Sequence, residues 1–156
     1  MSVARSIAPV VLLVQPNRDD REMYAEFLRH SGFTPVVVSS ATAALSFASD
    51  ADVIVTGLLL EGGMDGVELI TRLRGGDRAK KKVTIIVLTS CAWTSERERA
   101  RAAGCDVFLT KPCLPDVLVH EIRRRLPSSA GSPRRRPAKV PPPGSLGARR
   151  PPKRAG

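Results

Sequence analysis

The residues able to do chemistry stand just after short apolar runs. Val10-Val11-Leu12-Leu13-Val14 leads into Gln15-Pro16-Asn17, with Asp19 and Asp20 close behind. Three further runs end at Thr56-Gly57-Leu58, at Thr89-Ser90 and at Thr110-Lys111-Pro112. Asp19 and Asp20 read as helix-start charges, which suit the helix dipole, in preference to metal ligands. Cys105 and Cys113 flank Lys111 in sequence. Nearby positive charge lowers a thiol pKa, but the plainer expectation is ordinary small side chains. Cys91 completes an odd set of 3 cysteines without metal-ligand pairing. His30 and His120 have no second ligand at metal spacing. No nucleophile–base pairing, glycine-rich phosphate loop or zinc spacing stands out. The expectation is a protein that is not an enzyme and carries no cofactor or metal.

The apolar runs alternate with amphipathic stretches, and this positions those residues. Val10–Val14 is continuously apolar and β-branched, as a strand covered on both faces is, and Val36–Val38, Asp52–Thr56, Val83–Leu88 and Val107–Leu109 read as further short strands. Between them lie helical patterns. Asn17 sits at an N-cap position, with Met23, Phe27 and Leu28 at helical spacing and Gly32 as the stop. Ser39 or Ser40 caps an Ala-rich helix ending near Ser49. Val67, Leu69, Ile70 and Leu73 mark a third helix. Glu96–Ala103 is polar and helical, ending at Gly104, with Arg97, Arg99 and Arg101 on a solvated face. Pro115 opens a last helix, with Val117, Leu118, Ile122 and Leu126 on one face. Five strands alternating with five helices predict an α/β fold: a doubly wound, parallel (βα)5 sheet, flavodoxin-like, in three α/β/α layers. Sites in such folds lie at the carboxyl ends of the strands, near a switch point.

Composition divides the chain of 156 residues, which carries 25 Lys plus Arg against 15 Asp plus Glu. Residues 128–156 hold Arg134, Arg135, Arg136, Lys139, Arg149, Arg150, Lys153 and Arg154 and no acidic group. Residues 1–127 are close to balanced, at 17 basic and 15 acidic. The tail is also rich in Pro, Gly, Ser and Ala, too polar to offset ordering entropy, and is expected to be disordered. The expected organisation is an extension at 1–8, a body at 9–127 and a basic Pro-rich tail at 128–156. No apolar run approaches the ~18 residues that span a bilayer. Cysteine usage fits a reducing cytosol, so no membrane role is expected and a cytoplasmic location is.

The body resembles the receiver domain of two-component response regulators, including the single-domain chemotaxis regulators. Val83–Ser90 (VTIIVLTS) resembles the fourth strand with its switch hydroxyl at Thr89. Gly104–Pro112 (GCDVFLTKP) resembles the fifth strand with its Lys-Pro pair, and Met64-Asp65-Gly66 resembles the lead-in to the third helix. The family carries a phosphoacceptor aspartate after the third strand and an acidic, Mg²⁺-binding pair after the first. The resemblance puts Gly57 at the acceptor position and Gln15 and Pro16 at the acidic-pair positions, so the carboxylates are missing. Asp52, Glu61 and Asp65 do not align as a replacement acceptor. Thr89, Phe108 and Lys111 match the switch hydroxyl, the switch aromatic and the phosphoryl-pairing lysine. Thr89 reads equally as a strand-end hydroxyl, and Phe108 as plain core.

The resemblance implies a degenerate pseudo-receiver that is not phosphorylated and acts by protein–protein contact. Its partner or homodimer surface would be the fourth helix, fifth strand and fifth helix. Without acidic partners, Lys111 is expected to be a cation lacking a counter-charge, either pairing with an ordered anion or turning to water. The alternative is a nucleic-acid-associated module anchored by the basic tail, with the body as carrier or dimerisation unit.

Overall fold

The computed structural model describes residues 8–75, 83–91 and 93–126. Both the expected tail at 128–156 and nearly all of the 1–8 extension lie outside the described residues. The strands are β1 (Val10–Val14), β2 (Thr34–Val38), β3 (Val53–Thr56), β4 (Thr84–Thr89) and β5 (Val107–Thr110). The helices are α1 (Arg18–His30), α2 (Ala41–Phe47), α3 (Gly66–Gly75), α4 (Thr94–Ala103) and α5 (Pro115–Arg125). All pairings are parallel, in the order β2-β1-β3-β4-β5. This is the expected five-stranded α/β sheet. The chain order reverses between β1 and β3, which places the switch point at Gln15 and Gly57.

Local chemistry sets the element ends. Asn17 Oδ1 accepts from Asp20 N at 2.9 Å, and Ser40 Oγ accepts from Ala43 N at 3.2 Å, so both expected caps form. Asp65 Oδ1 does the same for Glu68 N at 2.8 Å ahead of α3. Gly32 and Gly104 adopt φ of +97° and +121°, which stops α1 and α4 cheaply. Pro115 is the first residue of α5, where its missing N–H costs nothing.

The core is the sheet's apolar runs: Val11–Val14, Val53–Val55 and Ile85–Leu88 are all fully buried. Helix faces cover them through Tyr24, Ala25 and Leu28, through Leu69, Ile70 and Leu73, and through Leu118, Val119 and Ile122. Three residues of the expected apolar helix stripes are instead exposed. Met23 is 43% exposed, Phe27 38% and Val117 42%. In α1 the buried stripe runs one position later, on Tyr24 and Leu28, because that face meets the sheet. In α5 it is Leu118, Val119 and Ile122 that turn inward.

Arg74 ties the far end of the sheet. It donates to Gly104 O, Val83 O and Asp106 Oδ2 at 3.0, 2.7 and 2.9 Å, and Asp106 Oδ2 also accepts from Ile85 N at 2.9 Å. Asp52, at the amino end of β3, accepts from Val10 N. It is therefore remote from the strand carboxyl ends, as its sequence position requires.

Candidate functional site

The cleft at the carboxyl ends of β1, β3 and β5 is built from an amide, an ammonium and one carboxylate. Gln15 follows β1 and is fully buried. Its Nε2 donates to Leu88 O at 3.1 Å, and its Oε1 accepts from Lys111 Nζ at 2.7 Å. The amide orientation follows from its neighbours: a carbonyl needs the N–H and an ammonium needs the oxygen. Lys111 Nζ also donates to Asp20 Oδ2 at 2.6 Å. Side-chain exposure of this pair is 19% for Lys111 and 30% for Asp20.

Lys111 is thus neither unpaired nor turned to water, which corrects the expectation from sequence. Asp20 supplies the counter-charge. It sits in the first turn of α1, and helix side chains lean toward the N-terminus, so its carboxylate reaches back to the strand ends. Asn17 fixes its backbone. Arg21 Nη1 donates to Gln15 O and Pro16 O, both at 2.9 Å, and so fastens the β1–α1 turn. One turn further on, Tyr24 Oη donates to Cys113 O at 2.6 Å. Burial, together with Cys113 and Asp20, pushes the Tyr24 phenol up to about 12. The first two turns of α1 are therefore bonded to the loop after β5. A groove of about 720 Å³ opens here, lined by Asp20, Met23, Tyr24, Ser90, Lys111 and Leu114.

The remaining expected residues fall into two groups. Gly57 lies beside the cleft: its N donates to Val14 O at 2.9 Å, and a Cβ there would meet Leu60 Cδ2 and Pro16 Cδ at 3.6 Å and Gln15 Nε2 at 3.7 Å. Those are ordinary contacts, so space for a side chain exists. Pro16 contributes no ligand atom. Thr89 is 5% exposed and its Oγ1 accepts from Cys91 N at 3.1 Å, the geometry of a strand-end hydroxyl. Phe108 is half-buried against the core and lies outside the Gln15–Lys111–Asp20 network. Arg97 stacks on it, 4.7 Å from the ring centroid. That half-buried arginine departs from the expected solvated face. Arg99 and Arg101 are exposed, and Arg99 pairs with Glu96.

Neither Cys105 nor Cys113 is an activated thiol. Burial pushes Cys105 and Cys113 up; Arg101 and Arg74 offset this only in part at Cys105, and Asp116 adds to it at Cys113. His30 and His120 are exposed. Among the described residues no group of three or more His, Cys, Asp or Glu side chains is placed to hold a metal ion. Nor does any helix there have the length and apolar character to cross a membrane. Sequence reasoning missed the roles of Asp20, Arg21 and Tyr24. The lean of first-turn side chains toward a helix N-terminus was the available signal for Asp20.

Known proteins share this fold. The "DNA-binding response regulator MtrA" of Mycobacterium tuberculosis is 30% identical over 118 residues, 74% of this chain and 50% of that protein. The chain therefore spans about half the length of that relative. Among solved structures, chemotaxis response regulator CheY4 of Vibrio cholerae is 25% identical, with a TM-score of 0.68 over 76% of this chain and 98% of that one. The receiver domain of sensor histidine kinase PA1611 from Pseudomonas aeruginosa PAO1, with a magnesium ion coordinated in its cleft, is 26% identical. Its TM-score is 0.68 over 76% of this chain and 97% of that one. The model of the response regulator receiver domain matches residues 11–123, from β1 into α5. With fold, strand order and sequence in agreement over that span, this chain belongs to the response regulator receiver domain family.

Proposed function

We propose that this chain is a receiver domain that signals by protein contact without accepting a phosphoryl group. The carrying observation is the composition of the cleft. At the carboxyl ends of β1 and β3 stand an amide already bonded at both ends, a proline and a glycine. None of these can form the mixed anhydride that an aspartate forms.

The residues present do not fit the magnesium ion that the family uses. Mg²⁺ requires oxygen ligands in near-ideal octahedral geometry. Gln15 Oε1 faces an ammonium, Pro16 and Gly57 offer no side-chain oxygen, and the Asp20 carboxylate is engaged by Lys111.

The partner surface of this reading is α4, β5 and α5, within a receiver body at 9–127 in the cytoplasm. Val117 is exposed there, and Arg97 covers Phe108. The test is mass spectrometry of the full chain after incubation with acetyl phosphate and Mg²⁺. No hydroxylamine-sensitive phosphoryl adduct is expected; an aspartyl phosphate overturns the reading.

A second reading rests on the tail, whose eight basic residues stand without an acidic one between 128 and 156. It makes the body a module attached to nucleic acid by charge. Having no aromatic to stack on bases, the tail would bind with little sequence preference. Binding of the full chain, but not of a version ending at Pro127, with steep salt dependence would favour it. Absence of binding near physiological salt would remove it.

A further inference from the structure

We infer that Asp20 is an autoinhibitory counter-ion, built into α1, that occupies Lys111 and closes the strand-end cleft to phosphate-like anions. This goes beyond the absence of a phosphoacceptor, which concerns covalent chemistry at position 57. It concerns the lysine, and the two ideas fail in different experiments.

Three observations carry it. The first is the short ion pair, 2.6 Å from Lys111 Nζ to Asp20 Oδ2, on side chains that are both less than a third exposed. The second is that the backbone carrying the carboxylate is held there. Asn17 bonds Asp20 N, Arg21 fastens the preceding turn through two carbonyls, and Tyr24 Oη reaches Cys113 O. The helix cannot withdraw Asp20 without breaking several bonds that cross from α1 to the strand-end loops. The third is that the lysine's other neighbour is equally fixed: Gln15 Oε1 is turned to Lys111 because Nε2 is spent on Leu88 O. An ammonium has three N–H donors, and two of the three at Lys111 are taken by protein oxygens.

An incoming phosphate would meet a lysine whose charge is already neutralised. It would also approach the Asp20 carboxylate at close range, and like charges at such distances repel strongly in a partly buried cleft. Thr89 Oγ1 and Ser90, the hydroxyls nearest in sequence to the end of β4, do not compensate for that repulsion. Removing the charge at position 20 while keeping its shape should convert the cleft into a weak anion site.

The experiment is an amide chemical-shift titration of the full chain with inorganic phosphate at constant ionic strength. The wild-type chain is expected to show no saturable shift at Thr89, Ser90, Cys91 or Lys111. Asp20→Asn is expected to show saturable shifts at those residues, with affinity at least about tenfold above any wild-type value. Asp20→Ser, a small polar residue suited to a helix first turn, serves as the second variant, and amide dispersion shows which variants fold. Asp19→Asn, at an exposed neighbour, removes the same charge without touching Lys111 and should behave as wild type. Adding Lys111→Met to either Asp20 variant should abolish the gain. The inference is overturned if wild type binds phosphate within about twofold of the Asp20 variants. It is equally overturned if Asp19→Asn gains as much as they do, or if no folded Asp20 variant binds.

Discussion

Replacing Lys111 with methionine tests whether the lysine is a structural member of the cleft or a free cation. The substitution removes the ammonium and keeps an unbranched stem of similar volume, so packing is nearly conserved. Two groups lose a partner. Gln15 Oε1 is completely buried and would face no donor, at a cost of about 1–3 kcal/mol. Asp20 is 30% exposed and regains water, so loss of the ion pair adds at most about 1 kcal/mol. The expected destabilisation is about 2–3 kcal/mol, which in a domain of this size lowers Tm by about 10 °C. Urea denaturation followed by circular dichroism measures it directly. Combining Lys111→Met with Asp20→Asn in a double-mutant cycle should give a coupling of about 0.5–1 kcal/mol. If Lys111→Met costs under about 0.5 kcal/mol and the coupling is zero, the lysine is solvated and the geometry reasoned from here is wrong.

Gly57→Asp should fold, since its Cβ meets nothing closer than 3.6 Å, yet acetyl phosphate with Mg²⁺ should not label it because the acidic pair is absent; robust labelling would refute the metal argument. Gly66→Ala should cost more than about 3 kcal/mol in urea, because its Cβ would lie 2.1 Å from Gly57 O and 2.9 Å from Leu58 Cα; near-wild-type stability would show that this crossing relaxes easily. Arg74→Met should cost about 2–3 kcal/mol through lost bonds to Gly104 O, Val83 O and Asp106, and a cost within about 0.5 kcal/mol of zero would discount that anchor. Tyr24→Phe should cost about 1 kcal/mol. The Tyr24 pKa is raised from 10.0 to about 12, so the folded state keeps a proton that the unfolded chain loses. Its contribution is complete below pH 10 and lost toward pH 12, and the Phe variant should lack that alkaline slope. Tyrosinate absorbance from the single tyrosine gives the pKa, and a value near 10 would contradict the burial.

The central strands β1, β3 and β4 were legible because apolar, β-branched runs buried on both faces have no polar interruptions, whereas the edge strands β2 and β5 are only partly buried. Asn17, Ser40 and Pro115 were legible as helix starts because capping depends only on near neighbours. The errors have the opposite character. Met23 and Phe27 share helical spacing with Leu28, yet spacing alone does not say which of two overlapping stripes meets the sheet. The Lys111–Asp20 bond joins residues 91 positions apart, and Arg74–Asp106 joins residues 32 apart. Such pairs depend on how the helix packs, which local pattern does not encode. Asp20 was read correctly as a helix-start charge, but a first-turn carboxylate can serve the dipole and a distant lysine together. The placement of Thr89 beside Cys91 N likewise follows from the chain's turn after β4, not from its hydroxyl alone.

The presence of Lys111 beside Gln15, Pro16 and Gly57 has a physical reason independent of phosphoryl transfer. With Gly57 and Pro16 in place, no cleft carboxylate at those positions offsets an ammonium that is four-fifths shielded from water. A buried unpaired cation is costly, and the ordinary escape is to lose the lysine or to neutralise it. Here the neutralising group comes from α1, and Gln15 Oε1 accepts from a second of the three N–H donors. Once that arrangement exists, Lys111 is difficult to remove, because Gln15 Oε1 and Asp20 both depend on it. Lys111 therefore has a structural role in this cleft that needs no phosphoryl group. Among the described residues the carboxylate bonded to the lysine is the one on α1, so the charge balance of the cleft depends on how that helix packs.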